Sequence, residues 1–439
     1  MSSHSAVSRA LAAAILCAAS ASGARVPGSP FPVVGAPNAS AGAPLLVFDN
    51  NGGGSADDAM TMATLAGVLS RAGVPKMYRL DGADTSLWLN ATAALFGVQP
   101  DAATCPAGAG AAACLLRHFA AQLTGYVLVD ANSTNLGVMA GVARRAVSVS
   151  AANEATAQAA GLPLLYDLRG RDLVWALAEF GGAGVFSARV SVLQDPSKTK
   201  CMSDFAIATG ALQWWTADAE SVEALLVLAS LAPPFAVLGW GPDEFRTVRA
   251  VSRAGGAVVA SDWASNLDLH SSFDLPQFVQ QQRRLPPPPP PRAAAAAVHT
   301  VAFLMSDGDN VQFLLNSFAT GAAWWASPAR GQVPMGWTIS PSLVDLAPVV
   351  AKYIYDSASP QDDLVAGVSG WGYAYPDTQT APRAAAAATR TGADMHKADM
   401  RLVNVLGAGE GYAAATVEPL LAQAEVDAVL WYNCEEASN

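Results

Sequence analysis

Short apolar runs alternate with helical patterns in the first half of the chain. Apolar runs bounded by turn residues are typical of buried strands, and apolar residues spaced by three or four are typical of helices. The predicted strands are 45–48, 125–130, 146–149 and 162–167. The helices predicted after them are 59–72, 136–144, 154–160 and 172–180. This alternation predicts a parallel sheet with helices packed on its faces.

A second series of strands and helices begins near residue 202. Its predicted strands are 234–238, 257–260, 301–305, 335–339, 364–368, 402–406 and 428–432. Its predicted helices are 218–231, 244–254, 343–355 and 413–424. Polar or aromatic residues follow these strands, as they do at the rim of a (β/α) barrel. We therefore predict an α/β fold in which an N-terminal α/β domain with a parallel sheet (45–200) precedes a barrel-like C-terminal domain (201–439).

Two segments interrupt these patterns. Residues 285–297 contain six consecutive prolines and then five alanines after an arginine. Consecutive prolines impose an extended polyproline conformation. Because strand patterns resume on both sides, we predict an exposed insertion within the C-terminal domain. The alanine-rich residues 382–389 are predicted to be a second exposed insertion of the same kind.

The N-terminal residues 1–24 have the pattern of a secretory signal peptide. Arg9 ends a short polar region, an apolar stretch runs over 11–19, and small residues follow through Ala24. The apolar stretch is too short to cross a bilayer, which favours cleavage over a membrane anchor. Glycosylation sequons at Asn38, Asn90 and Asn132 agree with secretion. We predict a secreted or extracellular glycoprotein that does not associate with a membrane after cleavage.

The composition and the net charge exclude some classes of binding partner. The chain is 52% hydrophobic and 14% charged, which suits large buried cores. Its net charge is −11, and no cluster of lysine and arginine exceeds two residues. Nucleic acids and anionic membranes bind basic patches, so neither is an expected partner. The composition does not indicate an oligomeric state.

Cysteines and glycines supply no cofactor motif. Cys105 and Cys114 flank a Gly/Ala-rich loop, where they form either a disulfide bond or two free buried thiols. CxxC and HxxxH patterns are absent, which argues against a Cys/His zinc site. The glycine-rich loop 49–55 lacks both GxGxxG and a following lysine, so phosphate binding is not predicted. We expect no cofactor and no bound metal.

Carboxylates follow several predicted strands and are the candidate catalytic groups. Asp307 and Asp309 follow strand 301–305, Glu244 follows 234–238, and Glu410 follows 402–406. Most glycosidases act through two such carboxylates. Each residue also has a simpler interpretation. Asp307 and Asp309 suit a helix-capping turn or, together with Asn310, hard-metal ligands. Glu244 suits a helix N-terminus, and Glu410 suits a solvated loop.

Aromatic residues follow the strand 364–368. Trp371, Tyr373 and Tyr375 alternate, so on an extended path they share one face. Their rings could stack on sugars, or they could be core packing with hydroxyls bonded to backbone. Gly370 and Gly372 make a plain core strand less favourable. The predicted substrate-binding set, completed by residues at other strand ends, is Trp371, Tyr373, Tyr375, Asp262, Asn310 and Trp240.

The heptapeptide 370–376, Gly-Trp-Gly-Tyr-Ala-Tyr-Pro, matches the pattern G-x-G-Y-x-Y-P. The chain resembles the GxGYxYP family of putative glycoside hydrolases in this motif. The segments 262–267, 303–310 and 337–341 are also similar to that family. The resemblance runs from about residue 45 to the C-terminus. It implies a carbohydrate-associated protein but supplies no assigned catalytic residues.

Three functions remain open at this point. The first is a glycoside hydrolase that acts on an unidentified glycan through paired carboxylates at strand ends. The second is a non-catalytic carbohydrate-binding protein that uses the same cleft. The third is a metal-assisted carbohydrate esterase or deacetylase centred on Asp307 and Asp309, against which the missing HxxxH pattern counts.

Overall fold

The computed structural model describes most of the chain from residue 29 onwards. The described residues are 29–32, 34–35, 41–42, 44–49, 55–73, 77–102, 110–276, 278–280, 301–409 and 414–433. The predicted signal peptide, the proline-rich insertion 285–297, Cys105 and Glu410 lie outside them.

Strands and helices alternate along the described chain. The strands are β1 Pro44–Asp49, β2 Met77–Leu80, β3 Gln99–Ala102, β4 Gly125–Val129, β5 Ala146–Ser150, β6 Leu164–Asp167, β7 Val190–Leu193, β8 Leu212–Trp214, β9 Phe235–Gly239, β10 Gly256–Val259, β11 Leu304–Met305, β12 Met335–Ile339, β13 Asp362–Ala366, β14 Leu402–Gly407 and β15 Ala428–Asn433. The helices of the first half are α1 Ala56–Arg71, α2 Ala83–Phe96, α3 Ala111–Phe119, α4 Thr134–Arg144, α5 Glu154–Ala159, α6 Leu173–Phe180 and α7 Ser203–Thr209. The later helices are α8 Val222–Ala229, α9 Glu244–Ala254, α10 Leu267–His270, α11 Val311–Phe313, α12 Leu343–Leu346, α13 Pro348–Ser357, α14 Ala381–Lys397 and α15 Ala414–Leu421. A π-helical turn, Leu314–Phe318, continues α11.

The strands form four sheets whose neighbouring strands run parallel. Two three-stranded sheets have the orders β2-β1-β3 and β5-β4-β6. A four-stranded sheet has the order β10-β9-β7-β8, and a five-stranded sheet runs from β11 to β15 in sequence order. The predicted α/β class with parallel sheets is therefore confirmed. The domain boundary at residue 200 stays a prediction.

The largest core cluster is shared by the four-stranded and the five-stranded sheet. It contains Val192 and Leu238 from the first of these sheets, and Ile339 and Val403 from the second. All four side chains are almost fully buried. The two sheets therefore contribute to the same apolar interior.

The predicted alanine-rich insertion 382–389 is wrong, since these residues form the first half of the helix α14. Pro382 lies in the first turn, where its missing N–H costs no hydrogen bond. The alanines that follow have the highest helix propensity of all residues. Farther along the helix, the buried Arg390 and Asp394 attach it to the core.

Other predicted elements differ in extent. The single helix predicted at 343–355 is two helices, because Pro348 begins the second one. The strand predicted at 301–305 is reduced to the two residues of β11. The sequence patterns did not predict β2, β3, β7 or β8. These strands are short and contain polar residues such as the buried Arg79 and Ser191, which break an apolar run.

Candidate active site

The loop 306–310 leaves β11 and is tied to the end of β12. The amide of Gly308 donates to Thr338 Oγ1 at 2.9 Å, and the amide of Ser340 donates to the Gly308 carbonyl oxygen at 2.7 Å. A Cβ on Gly308 would lie 1.4 Å from the Thr338 carbonyl oxygen. Only glycine fits against β12 here, so β12 determines the path of the loop that carries the two aspartates.

Asp307 and Asp309 lie in different environments. Asp307 has a φ of 66° and is exposed, whereas Asp309 is buried. The extended path that would place both side chains on one side of the sheet does not continue through Gly308. The left-handed conformation of Asp307 and the turn at 308–309 interrupt that path, which leaves Asp307 exposed and Asp309 buried.

Asp309 has the electrostatics of a proton donor. Its pKa is raised to about 7, first by burial and then by the negative charges of Asp307 and Glu244, against a lowering by a backbone hydrogen bond. A buried carboxyl group near negative charges favours its neutral form. Near neutral pH a large fraction of the molecules therefore carries a proton on this group that it can transfer. The charge effect also shows that Glu244 lies within electrostatic range of Asp309.

Glu244 begins α9 and is held by a tyrosine. Asp243 caps the helix by accepting a hydrogen bond from the Arg246 amide at 2.8 Å. Glu244 itself is exposed, and its Oε1 accepts a hydrogen bond from the Tyr373 hydroxyl at 2.8 Å. The side chain thus occupies the first helical turn, where a negative charge is favourable, and has a specific partner as well.

The two tyrosines of the heptapeptide form a pair beneath Glu244. The hydroxyl oxygens of Tyr373 and Tyr375 are 3.2 Å apart, and their ring centroids are 5.6 Å apart. The pKa of Tyr373 is raised far above its ordinary value, first by burial and then by Tyr375 and the charge of Glu244. Tyr373 therefore stays protonated and remains a hydrogen-bond donor.

The segment 370–376 connects the five-stranded sheet with the four-stranded sheet. It follows β13 and forms an antiparallel bridge with Val258 of β10. The Tyr373 amide donates to the Val258 carbonyl oxygen at 2.8 Å, and the Val258 amide donates back at 2.8 Å. This bridge brings the Tyr373 side chain towards α9, the helix between β9 and β10, and so towards Glu244.

Both glycines of the heptapeptide are required by close packing. Gly370 has a φ of 94°, and a Cβ there would lie 2.3 Å from Thr391 Oγ1. A Cβ on Gly372 would lie 2.9 Å from the Ala257 Cβ. The first glycine allows the left-handed turn after β13, and the second allows the segment to approach β10.

The heptapeptide aromatics do not form an open sugar-stacking surface in this structure. Trp371, Tyr373 and Tyr375 are only 2%, 4% and 0% exposed. Trp371 packs against Phe31 and belongs to the core shared by the two large sheets, whereas the tyrosines belong to a second core cluster. The predicted common face is therefore wrong for Trp371, whereas Tyr373 and Tyr375 lie together in one cluster.

The other predicted substrate-binding residues have separate surroundings. The half-buried Trp240 stacks on Tyr373 with a centroid distance of 6.3 Å. Asn310 caps α11 by accepting a hydrogen bond from the Phe313 amide at 3.2 Å. Asp262 is buried and forms an ion pair with Lys198. Trp240 therefore lies on the Glu244 side of the site. The side chain of Asn310 binds a helix N-terminus, and that of Asp262 binds Lys198.

Tyr432 on β15 is a site residue that the sequence patterns did not single out. Its pKa is raised first by burial, and the negative charges of Asp307 and Asp309 add to the effect. Its hydroxyl is therefore within electrostatic range of both aspartates. The strand pattern at 428–432 predicted the element, but the apolar run does not reveal which side chain faces a distant loop.

Neither a metal-binding cluster nor a membrane-spanning helix occurs among the described residues. Among the described residues there is no group of three or more His, Cys, Asp or Glu side chains that could hold a metal ion. No helix within the described ranges is long and apolar enough to cross a membrane. Glu410, the remaining predicted catalytic residue, lies outside the described residues.

Sequence models of one family match most of the chain. The model of the GxGYxYP putative glycoside hydrolase C-terminal domain matches residues 297–439. The models of the GxGYxYP third domain and of the GxGYxYP_N second domain match residues 188–272 and 123–183. No curated protein matches the sequence.

A solved structure shares the fold. It is that of a putative hydrolase from Bacteroides thetaiotaomicron VPI-5482, with a TM-score of 0.79 and 23% sequence identity. The similarity covers 93% of this chain and 78% of the other. At this identity the likeness concerns the fold alone. The three domain matches, together with the heptapeptide whose geometry is given above, show that the chain belongs to the GxGYxYP family.

Proposed function

We propose that this protein is a glycoside hydrolase whose active site is formed by Asp309 and Glu244. Asp309 is the general acid that protonates the glycosidic oxygen. Glu244 is the second carboxylate, which either activates water or attacks the anomeric carbon. Tyr373 holds Glu244 in position through its hydroxyl group. The observation that carries the proposal is the raised pKa of the buried Asp309, to which the charge of Glu244 contributes.

The two carboxyl groups differ in the way that acid and base partners differ in glycosidases. Burial keeps Asp309 protonated up to about pH 7, while Glu244 is exposed and accepts a hydrogen bond from Tyr373. Two nearby titratable groups with unlike environments divide the acid and base roles between them. Asp307 is exposed beside them and adds negative charge that favours a positively charged transition state.

The test is hydrolysis of a panel of aryl glycosides and oligosaccharides. Asp309→Asn and Glu244→Gln should each lower kcat by at least about a hundredfold, since each removes a proton-transfer or nucleophilic group. Glu223→Gln is the matched control, because Glu223 is an exposed carboxylate in the first turn of the preceding helix, α8. Full turnover by Asp309→Asn would exclude this residue as the acid.

The same measurements separate hydrolysis from carbohydrate binding without catalysis. A binding protein would retain ligands in both carboxylate variants and would show no turnover in the wild type. An esterase would release acetate from acetylated sugars instead of reducing ends.

We propose that the four-stranded and five-stranded sheets together make a barrel-like domain, which would begin before the predicted boundary because β7, Val190–Leu193, belongs to the four-stranded sheet. Two observations support this. The sheets share one core cluster, and the Gln312 amide, at the start of the α11 region, donates to the Ala260 carbonyl oxygen beyond β10 at 3.1 Å. The carboxyl ends of β10 and β11 would then be adjacent on one rim, which is where barrel enzymes have their sites.

We further propose that the protein is secreted and acts on carbohydrate outside the cell. Cys114 is disulfide-bonded, and the sequon residues Asn90 and Asn132 are exposed. Disulfide bonds persist in oxidising compartments. Expression of the full chain in a secreting host, followed by analysis of the medium before and after enzymatic deglycosylation, tests both localisation and modification. Retention in the cell without a mass shift would contradict the proposal.

A further inference from the structure

Trp263 presents a large, half-exposed ring in the loop that follows β10, hydrogen-bonded to the helical segment after the acidic loop. Its relative exposure is 47%, although it lies in a loop between the buried Asp262 and the buried Ala264. Exposure of about half of a tryptophan ring is energetically unfavourable, because burial of such a ring is strongly favourable.

The backbone amide and the carbonyl oxygen of Trp263 both form hydrogen bonds. Its amide donates to Gln312 Oε1 at 2.7 Å, and its carbonyl oxygen accepts from Asn316 Nδ2 at 2.9 Å. Both partners lie on the helical segment 311–318 that follows the acidic loop. The position of Trp263 is therefore determined by the same segment that follows Asp309.

One side of the Trp263 ring is occupied by a cation. The Lys198 ammonium nitrogen lies 4.9 Å from the ring centroid. It also forms an ion pair with Asp262, the residue before the tryptophan. A cation over an aromatic ring restricts the motion of the ring, and the buried carboxylate neutralises the cation. The ion pair therefore leaves the aromatic surface without net charge.

Trp263 is linked to the acidic loop through one residue, Gln312. Gln312, which binds the Trp263 amide, is three residues from Asp309, so their Cα atoms are at most about 11 Å apart. A single sugar unit at the acids would not need this ring, whereas a longer chain leaving the site in that direction would pass over it.

We propose that Trp263 is the stacking platform of a second sugar subsite, and that the substrate is a neutral oligosaccharide of several units. The inference rests on the proposed glycosidase function, since it extends the same site. Sugar rings have apolar faces that stack on flat aromatic rings. Neutral glycans are favoured, because Asp262 balances Lys198 and the chain has a net charge of −11 that disfavours polyanions.

The test measures binding in the Asp309→Asn variant, so that turnover does not consume the ligand. The probes are cello-, xylo-, manno- and N-acetylchito-oligosaccharides of one to six units, titrated by calorimetry. In at least one series we expect affinity to rise with chain length. Adding Trp263→Ala should remove that rise and weaken binding of the longest ligand about tenfold or more, with little change for the monosaccharide.

Trp324→Ala in the same background is the matched control. Trp324 is 41% exposed but packs its ring against Phe313, and it should leave the length dependence unchanged. Trp263→Tyr should retain part of the affinity. Affinity without length dependence, equal losses in the two alanine variants, or tighter binding of oligogalacturonate would overturn the inference. Turnover by Asp309→Asn would instead contradict the proposed acid, and the same titrations would then be made in the Glu244→Gln background.

Discussion

The hydroxyl of Tyr373 donates a 2.8 Å hydrogen bond to Oε1 of Glu244, a residue 129 positions earlier in the chain. One partner belongs to the heptapeptide after β13, and the other begins α9. The motif that shows family membership therefore ends in a contact with a candidate catalytic carboxylate. The aromatic rings of the motif pack in the core, and the hydroxyl group of Tyr373 binds Glu244.

Replacing Tyr373 with phenylalanine should impair turnover more than binding. The change removes one hydrogen bond to a charged group, a loss of about 1.5–3 kcal/mol, which corresponds to roughly a 10- to 100-fold fall in kcat. Steady-state kinetics on the best glycan substrate give kcat and KM separately. Tyr166→Phe is the control, because Tyr166 donates an equally short 2.8 Å bond to Glu179 at a surface away from the acids. Equal effects in both variants would argue against a specific role.

Activity should fall as the pH rises through about 7. Asp309 must be protonated to act as an acid, and its pKa is raised to about 7 by burial and by nearby negative charge. The profile of kcat/KM against pH should therefore show its alkaline limb near this value. The residual activity of Asp309→Asn should lack that limb. An unchanged limb in the variant would assign it to another group.

The Asp309→Asn variant should also be more stable than the wild type at alkaline pH. In the unfolded chain the carboxyl group titrates near its ordinary pKa of about 3.9. In the folded protein it titrates at about 7. Between these values the native state binds more protons, so stability falls as the pH rises, by up to on the order of 4 kcal/mol.

Urea unfolding at pH 4.5 and pH 8 measures this effect. The gain from asparagine should be present at the higher pH and nearly absent at the lower one. A gain of equal size at both values would mean that the substitution acts through packing and not through the buried charge.

Replacing Arg390 with methionine should destabilise the protein strongly. Arg390 is buried, contacts Asp394, and lies 3.2 Å from a carboxylate oxygen of Asp345. Lys397 also contacts Asp345, at 3.0 Å, so Asp345 would keep a cationic partner and Asp394 would lose its ion pair with Arg390. Removing one partner of a buried ion pair costs about 3–5 kcal/mol. The free energy of unfolding in urea measures the loss.

Arg401→Met is the matched control for Arg390→Met. Arg401 pairs with Asp427 in an ion pair in which both side chains are exposed. Exposed pairs contribute at most about 1 kcal/mol. A loss in Arg401→Met as large as that in Arg390→Met would contradict the importance of burial.

Gly308→Ala should disrupt the acidic loop. Its Cβ would lie 1.4 Å from the Thr338 carbonyl oxygen, so the loop must move away from β12. We expect a loss of about 1–3 kcal/mol or more in stability, together with loss of activity because Asp309 shifts. Thermal unfolding and kinetics test this. Gly73→Ala is the control, since a Cβ there meets no atom within 4 Å. Normal activity in Gly308→Ala would show that the loop adapts.

The sequence predicted local elements well where apolar runs are continuous. The strand β12 was predicted with both of its ends, because Met335–Ile339 is bounded by polar and turn residues. The prediction from sequence was wrong where the amino-acid composition suggested a different structure. The alanine-rich residues 382–389 suggested an exposed insertion, whereas alanine propensity and the later packing of Arg390 make a helix. The two-residue β11 shows that an apolar run does not determine how long a strand pairs.

Sequence alone determined the α/β class, the acids at the strand ends and the family motif, since these depend on local periodicity and on contiguous residues. Only the tertiary structure decided that Glu244 lies within electrostatic range of Asp309, that Asp307 is exposed while Asp309 is buried, and that the heptapeptide tyrosines are buried beneath Glu244. These relationships depend on how segments far apart in the chain pack together. The bridge between Tyr373 and Val258 brings the motif to Glu244. This bridge cannot be predicted from the residues that neighbour either partner in the sequence.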